Sequence, residues 1–142
     1  MSGIDGLFSG LRTASSGLTA ERVRIDVIAD NIANSQTTRT PEGGAFRRKV
    51  VHFEPLVRHR NGKEVGGGVR VSKVSRDMET AMEMIHDPGH PDANEAGMVE
   101  YPNVNSIREM ADLMTAIRSY EANLKSQELF MRMAQRALEM MR

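Results

Sequence analysis

Apolar residues recur every seven positions at both ends of this chain. In the stretch Ser106 to Met141, one series is Met110, Ile117, Leu124, Met131 and Leu138. A second runs three residues further on: Leu113, Tyr120, Gln127, Ala134 and Met141, with Gln127 its polar member. Two interleaved series at this spacing predict a heptad seam on a long helix. Ser106 is placed to cap its start, and Glu109, three residues on, to complete a capping box. No Gly or Pro follows Pro102. Roughly 35 residues at about 1.5 Å each give a rod about 50 Å long. A chain of this size cannot bury such a rod alone, so the rod calls for a partner helix.

Residues 4–33 supply a candidate. Ile4, Leu11, Leu18, Ile25 and Ile32 are seven apart, and Leu7, Ala14, Glu21 and Ile28 lie three further on, with Glu21 the polar member. The same segment carries Gly6, Gly10 and Gly17. Each interior Gly costs about 1 kcal/mol of helix propensity relative to Ala. This helix is therefore expected to form only when packed. The glycines line one stripe, which reads either as a fraying end or as a face on which another backbone comes close. In the second reading Ala is tolerated at Gly10 and Leu is not.

Between the helices the period changes. Residues 34–44 are rich in Ser, Gln, Thr, Pro and Gly and read as a loop. Residues 45–57 read as a strand, Asn61-Gly62 as a hairpin turn and 69–75 as the return strand, with Gly66-Gly67-Gly68 as a bent link. Residues 78–85 are ambiguous between strand and short helix. Residues 87–102 hold Pro88, Gly89, Pro91, Gly97 and Pro102 and read as an ordered loop with a short strand at 98–101. The expected fold is mainly α with a small β insert. An N-terminal helical part (1–35) and a C-terminal one (105–142) pair as an antiparallel coiled coil around a β-rich middle lobe (36–104).

Composition narrows the picture. Leu, Ile, Val and Phe make up 30 of 142 residues, and Trp is absent. That is barely above the roughly 20 % below which chains stay disordered, so the core is expected to be thin. The 19 basic and 19 acidic residues cancel, leaving no overall field to attract nucleic acid or an anionic membrane. Cysteine is absent, which excludes disulfides and thiolate metal sites. No apolar run approaches the ~20 residues of a membrane span. The start Met1-Ser2-Gly3-Ile4-Asp5 lacks the marks of a secretory signal. The chain is thus expected to stay in the cytosol or to leave by another route.

Candidate chemistry is sparse. His86 and His90 would make a metal pair on a helix, but Pro88 and Gly89 lie between them, and loop hydrogen bonds are the better reading. Asp92-x-Asn94 begins like a calcium loop, but Ala96 and Asn103 stand where ligands are needed. No phosphate-binding Gly-rich loop and no nucleophile motif occurs. No enzyme activity, cofactor, metal, nucleic acid or small-molecule substrate is expected. The run Arg47-Arg48-Lys49, with Arg58, His59 and Arg60 beyond, reads as a solvated strand face or a salt-bridged subunit contact. Six of the 11 methionines lie at or after Met110. Met is unbranched and suits a surface that must fit non-identical neighbours. Phe130, Met133, Ala137 and Met140 widen the apolar arc.

Three stretches resemble a known family. Asn31-Ile32-Ala33-Asn34 with Thr37, and Arg118-Ser119-Tyr120-Glu121-Ala122-Asn123, resemble signatures of the axial proteins of the bacterial flagellum: rod, hook and hook-associated proteins. The loop from Asp87 to Asn94, with Gly97 and Pro102-Asn103-Val104, resembles that of the proximal-rod members. Thr38-Arg39-Thr40, Gly43-Gly44 and Phe46-Arg47-Arg48-Lys49 fit the same members. The resemblance implies terminal helices that pair and pack with copies of the chain and with other proximal and distal rod subunits. The result is a tube across the periplasm that transmits torque for motility. It implies delivery by the flagellar type III export apparatus, without membrane insertion. The assembly interface is then expected on Ile4, Leu7, Gly10, Leu11, Leu18, Ile25, Ile28, Asn31, Ile32 and Asn34 of the first helix. On the second it is expected on Met110, Leu113, Ile117, Tyr120, Leu124, Met131 and Leu138. The rival class is a soluble coiled-coil adaptor of discrete mass; an enzyme built on the His86–His90 loop would carry bound metal.

Overall fold

The computed structural model describes residues 2–60 and 63–140, and side chains other than those of 2–5, 7, 58–60 and 63–65. The side chains of Ile4, Leu7, Arg58, His59 and Arg60, the turn Asn61-Gly62 and Met141 lie outside this description. Two long helices, α1 (Ser2–Ala33) and α2 (Ser106–Met140), bracket four strands. β1 (Lys49–Arg60) and β2 (Lys63–Arg76) form an antiparallel hairpin, and β3 (Glu83–His86) pairs antiparallel with β4 (Met98–Tyr101). The ambiguous 78–85 segment resolves into a turn followed by β3. Asp77 Oδ1 accepts from the backbone N–H groups of Glu79 and Thr80, at 3.0 Å each, and this ends β2 cleanly.

The glycine run at 66–68 is not a link between strands. It lies inside β2, where the hairpin rests on α1. Gly68 has φ +109° and its Cα faces Ser16 and Thr13 so closely that no Cβ would fit. The Val69 N–H donates to Ser16 Oγ at 3.1 Å, and Ser16 Oγ donates to the Thr13 carbonyl at 2.7 Å. The strand thus reaches the helix through backbone, and only glycine allows the approach.

The helices run antiparallel, since the early part of α1 meets the late part of α2. A Cβ on Gly10 would lie 2.5 Å from the Phe130 ring, and one on Gly17 would lie 2.8 Å from the Asn123 amide nitrogen. Further along, Asn31 meets Glu109. Each step of seven down α1 matches a step of seven back along α2. The stripe of contact differs from the expected one. On α2 the seam is made by the buried or half-buried Glu109, Leu113, Ala116, Tyr120, Asn123, Gln127, Phe130, Ala134 and Ala137, while Ser106, Asp112 and Ser119 are also half-buried. The series Leu113–Tyr120–Gln127–Ala134 is on the seam as expected, but its companion is shifted back by one residue. Met110, Ile117, Leu124, Met131 and Leu138 are exposed. On α1 the buried positions are Ala14, Gly17, Ala20, Ile28 and Asn31, while Leu11, Leu18, Ile25 and Ile32 are half-buried beside them. The physical reason is size. Gly10 and Gly17 make room for the Phe130 ring and the Asn123 amide of the facing helix, and the large aliphatics are left on the flanks.

The core is small: Ala14, Ala20, Ile28, Phe46, Val99 and Ala116, with Asn31 and Glu109 the buried polar members. No described helix is long and apolar enough to cross a membrane.

Candidate functional site

Two features stand out: a polar lock inside the molecule and an apolar row outside it.

The lock begins at Asn31, which is 1 % exposed. Its amide nitrogen donates to the Lys49 carbonyl at 2.9 Å and its amide oxygen accepts from the Lys49 N–H at 2.8 Å. The side chain therefore acts as one more strand residue for the start of β1. The same nitrogen donates to Glu109 Oε2 at 3.0 Å, and Arg48 Nε donates to Glu109 Oε1 at 2.7 Å. Glu109 is itself 1 % exposed. A carboxylate taken from water needs such partners, since burying it bare is costly. Glu109 does not close a capping box with Ser106. The cap is Asn105, whose Oδ1 accepts from the Arg108 N–H at 3.0 Å, which leaves Glu109 free to turn inward. Arg48, on the basic run, also approaches Asp112 at 3.9 Å, and Lys49 Nζ donates to Asp30 at 2.7 Å. The run is thus salt-bridged within its own chain rather than to another subunit at these two positions.

Asn34 and Thr37 continue the device. Asn34 Nδ2 donates to the Asp30 carbonyl at 2.9 Å, the Thr37 hydroxyl donates to Asn34 Oδ1 at 3.2 Å, and the Thr37 carbonyl accepts from the Phe46 N–H at 2.9 Å. Asn31 and Asn34, expected at the assembly interface, are spent on contacts inside the subunit. Asn103 acts similarly. Its Oδ1 accepts from the Arg48 N–H at 2.8 Å and its Nδ2 donates to the Thr80 carbonyl at 3.0 Å. In the 87–97 loop, Asp92 Oδ2 accepts from the Thr38 hydroxyl at 2.8 Å, and His90 Nδ1 accepts from the Asp92 N–H at 3.1 Å. Asn94 Oδ1 accepts from the N–H groups of Ala96 and Met98. Among the described residues no group of three or more His, Asp or Glu is placed to hold a metal ion. The Asp77 carboxyl is held below its ordinary value mainly by the Thr80 N–H, and that of Glu42 by its hydrogen bond to Arg76.

The second feature is the outer face of α2. Met110 is 49 % exposed, Ile117 41 %, Leu124 41 %, Met131 50 % and Leu138 68 %. These residues lie seven apart, so they form one row along the rod. Met114, one turn from both Met110 and Ile117, broadens it. Scattered surface apolars need no explanation, but a continuous row marks an interaction surface. Gly10 and Gly17 are committed to the intramolecular seam, whereas a Cβ on Gly6 would meet nothing within 4 Å.

Comparison with known proteins places both terminal stretches. Residues 11–39 match the family described as flagella basal body rod protein, and residues 95–140 match the C-terminal region of the flagellar basal body rod FlgEFG proteins. These two stretches contain Asn31 and Glu109, which meet across the seam. The flagellar basal-body rod protein FlgC of Borreliella burgdorferi is 45 % identical, over 83 % of this chain and 86 % of that protein. The FlgC of Bacillus subtilis is 38 % identical over 93 % of this chain and 96 % of its own length, and that of Aquifex aeolicus 36 % over 94 % and 96 %. The chain belongs to the family of flagellar basal-body rod proteins, and within it to the FlgC proteins.

Proposed function

We propose that this structural rod subunit joins its neighbours through the outer row of α2 and the flanking aliphatics of α1. The observation that carries the proposal is the exposure of Ile117 and Leu124, 41 % each, in a row five residues long. Burying a large aliphatic contributes roughly 1.5–3 kcal/mol, and the row repeats in every copy. Its neighbours are copies of the chain and the other proximal and distal rod subunits. Met110, Met131 and the half-buried Leu11, Leu18, Ile25 and Ile32 complete the surface. The helix pair supercoils as a coiled coil once packed in the tube. The chain divides functionally into 1–35, 36–104 and 105–142, with the outer parts building the tube and the middle lobe bracing it. It reaches the rod through the flagellar type III export apparatus, in an unfolded form that suits its thin core. Its work is mechanical: the rod carries torque from the motor to the filament, and no catalysis is involved.

The test is deletion of the gene followed by restoration with Leu124→Asp. Deletion is expected to abolish swimming and leave basal bodies without a rod. Leu124→Asp is expected to be synthesised and exported but not incorporated. Normal swimming with Leu124→Asp contradicts the role of the row.

A further inference from the structure

A groove of about 510 Å³ opens between α1 and the β1–β2 hairpin. Gly17, Gly68 and Val69 line it, together with Glu21, Phe53 and Asn123. Glu21 is the polar member of its heptad series, and its side chain is only 17 % exposed. Its Oε2 is buried and has no hydrogen-bond partner. Among the described residues the cation that approaches it is Arg24, whose Nη1 stands 3.9 Å away, beyond hydrogen-bond reach. A carboxylate oxygen withdrawn from water and left without a donor is costly. Phe53, on the same groove, is 40 % exposed, and an aromatic face attracts a cation. The groove therefore fits a positively charged group on an apolar bed.

The chain carries such a surface elsewhere. Arg118 and Lys125 are exposed, and each follows a member of the outer row, Ile117 or Leu124. Neither makes an ion pair among the described residues. Asn123 of the subunit's own α2 lines the groove, and Arg118, five residues earlier, stands about 140° round that helix, so an arginine in the groove comes from another molecule. We infer that the groove receives the outer face of α2 from a second copy of this chain, with the Arg118 guanidinium against the Glu21 carboxylate and beside the Phe53 ring. Arg suits the position because its planar fork pairs with a carboxylate and stacks on a ring. In a rod each copy's groove takes the row of the next, so the contact is head-to-tail, and it repeats into an open helical array because its rotation does not close. The inference rests on the assembly reading above and specifies one contact within it.

The chain has no cysteine, so introduced pairs report contact cleanly. Basal bodies carrying Glu21→Cys together with Arg118→Cys are oxidised and run on a denaturing gel. The expected result is a ladder of linked subunits that neither single variant gives. Subunit present in basal bodies at the usual amount but running only as monomer overturns the inference and leaves the assembly reading intact. Absence of the unaltered chain from basal bodies would instead sink the assembly reading. A second arm covers failure of the cysteine variants to assemble. Glu21→Arg is expected to lower incorporation at least about tenfold, as loss of a desolvated charge pair does, and added Arg118→Glu to restore it. Unchanged incorporation with Glu21→Arg, or no restoration by the swap, overturns the inference.

Discussion

Asn31 and Glu109 are 78 positions apart in the chain and 3.0 Å apart across the helix pair. With the Lys49 backbone and Arg48 they tie α1, β1 and α2 together at one buried point. Removing one partner leaves a buried polar group unpaired, which costs about 3–5 kcal/mol for an ion pair. Glu109→Ala is therefore expected to destabilise the folded subunit severely, and Asn31→Asp to do so by setting two carboxylates face to face. Arg48→Ala is expected to cost at least as much, because it leaves the Glu109 carboxylate, 1 % exposed, with the Asn31 amide alone, whereas the Arg48 left by Glu109→Ala is 25 % exposed and water compensates in part. Denaturant unfolding of the purified chain would check the order. Equal stability of the natural chain and Glu109→Ala would remove the lock from the account.

Gly10 and Phe130 give a size test. A methyl at Gly10 would already stand 2.5 Å from the Phe130 ring, so Gly10→Ala swims only if the ring swings aside. Gly10→Leu overfills the seam, at about 1–3 kcal/mol. Shortening the opposing ring should help: Gly10→Ala with Phe130→Leu is expected to swim better than Gly10→Ala alone. Identical motility of Gly10→Ala and Gly10→Leu would refute close packing at this point.

Much of the architecture is legible in the sequence. The heptad spacing marks both helices, turn residues separate the strands, and 98–101 is a strand as expected. The rotation of the helices is not legible. The seam and the outer row share the same spacing and differ by one position, as Leu124 and Asn123 do. Choosing the larger apolar residue selects the exposed row, since the seam uses Gly17 and Ala116. The pairing of Asn31 with Glu109 was hidden for another reason, the first reading as an interface residue and the second as part of a cap. A buried Glu is sensible only beside its partners, and those partners come from distant positions. The lone Glu21 in an apolar series was the one sequence signal of the groove.

Substitutions on the two faces of α2 should separate folding from assembly. Ala116 is wholly buried and Leu124 is 41 % exposed. Ala116→Asp puts an unpaired carboxylate into the seam and should unfold the helix pair. Leu124→Asp should change the stability of the isolated chain by within about 0.5 kcal/mol yet block incorporation. Similar stability losses for both variants would contradict the assignment of the two faces.

Asp77 sets a pH dependence. Its carboxyl lies below the ordinary aspartate value of 3.8, chiefly through the Thr80 N–H. A lowered value in the folded state adds stability that is complete above the unfolded value and lost as pH falls through the folded one. The 77–80 turn should thus hold from neutral pH down to about 4 and loosen below it. Amide exchange at Thr80, followed against pH and compared with Asp77→Asn, would show this. Protection of Thr80 that is independent of pH in that acid range would contradict it.

The central claim is that this chain is a rod subunit whose α2 presents its seam to α1 and its outer row to neighbours. A density map of purified basal bodies tests both halves at once. The account predicts the chain within the rod, Phe130 against Gly10 of the same subunit, and Ile117 and Leu124 in contact with an adjacent one. A rod that lacks the chain, or one in which Ile117 and Leu124 face solvent along their length, would contradict it.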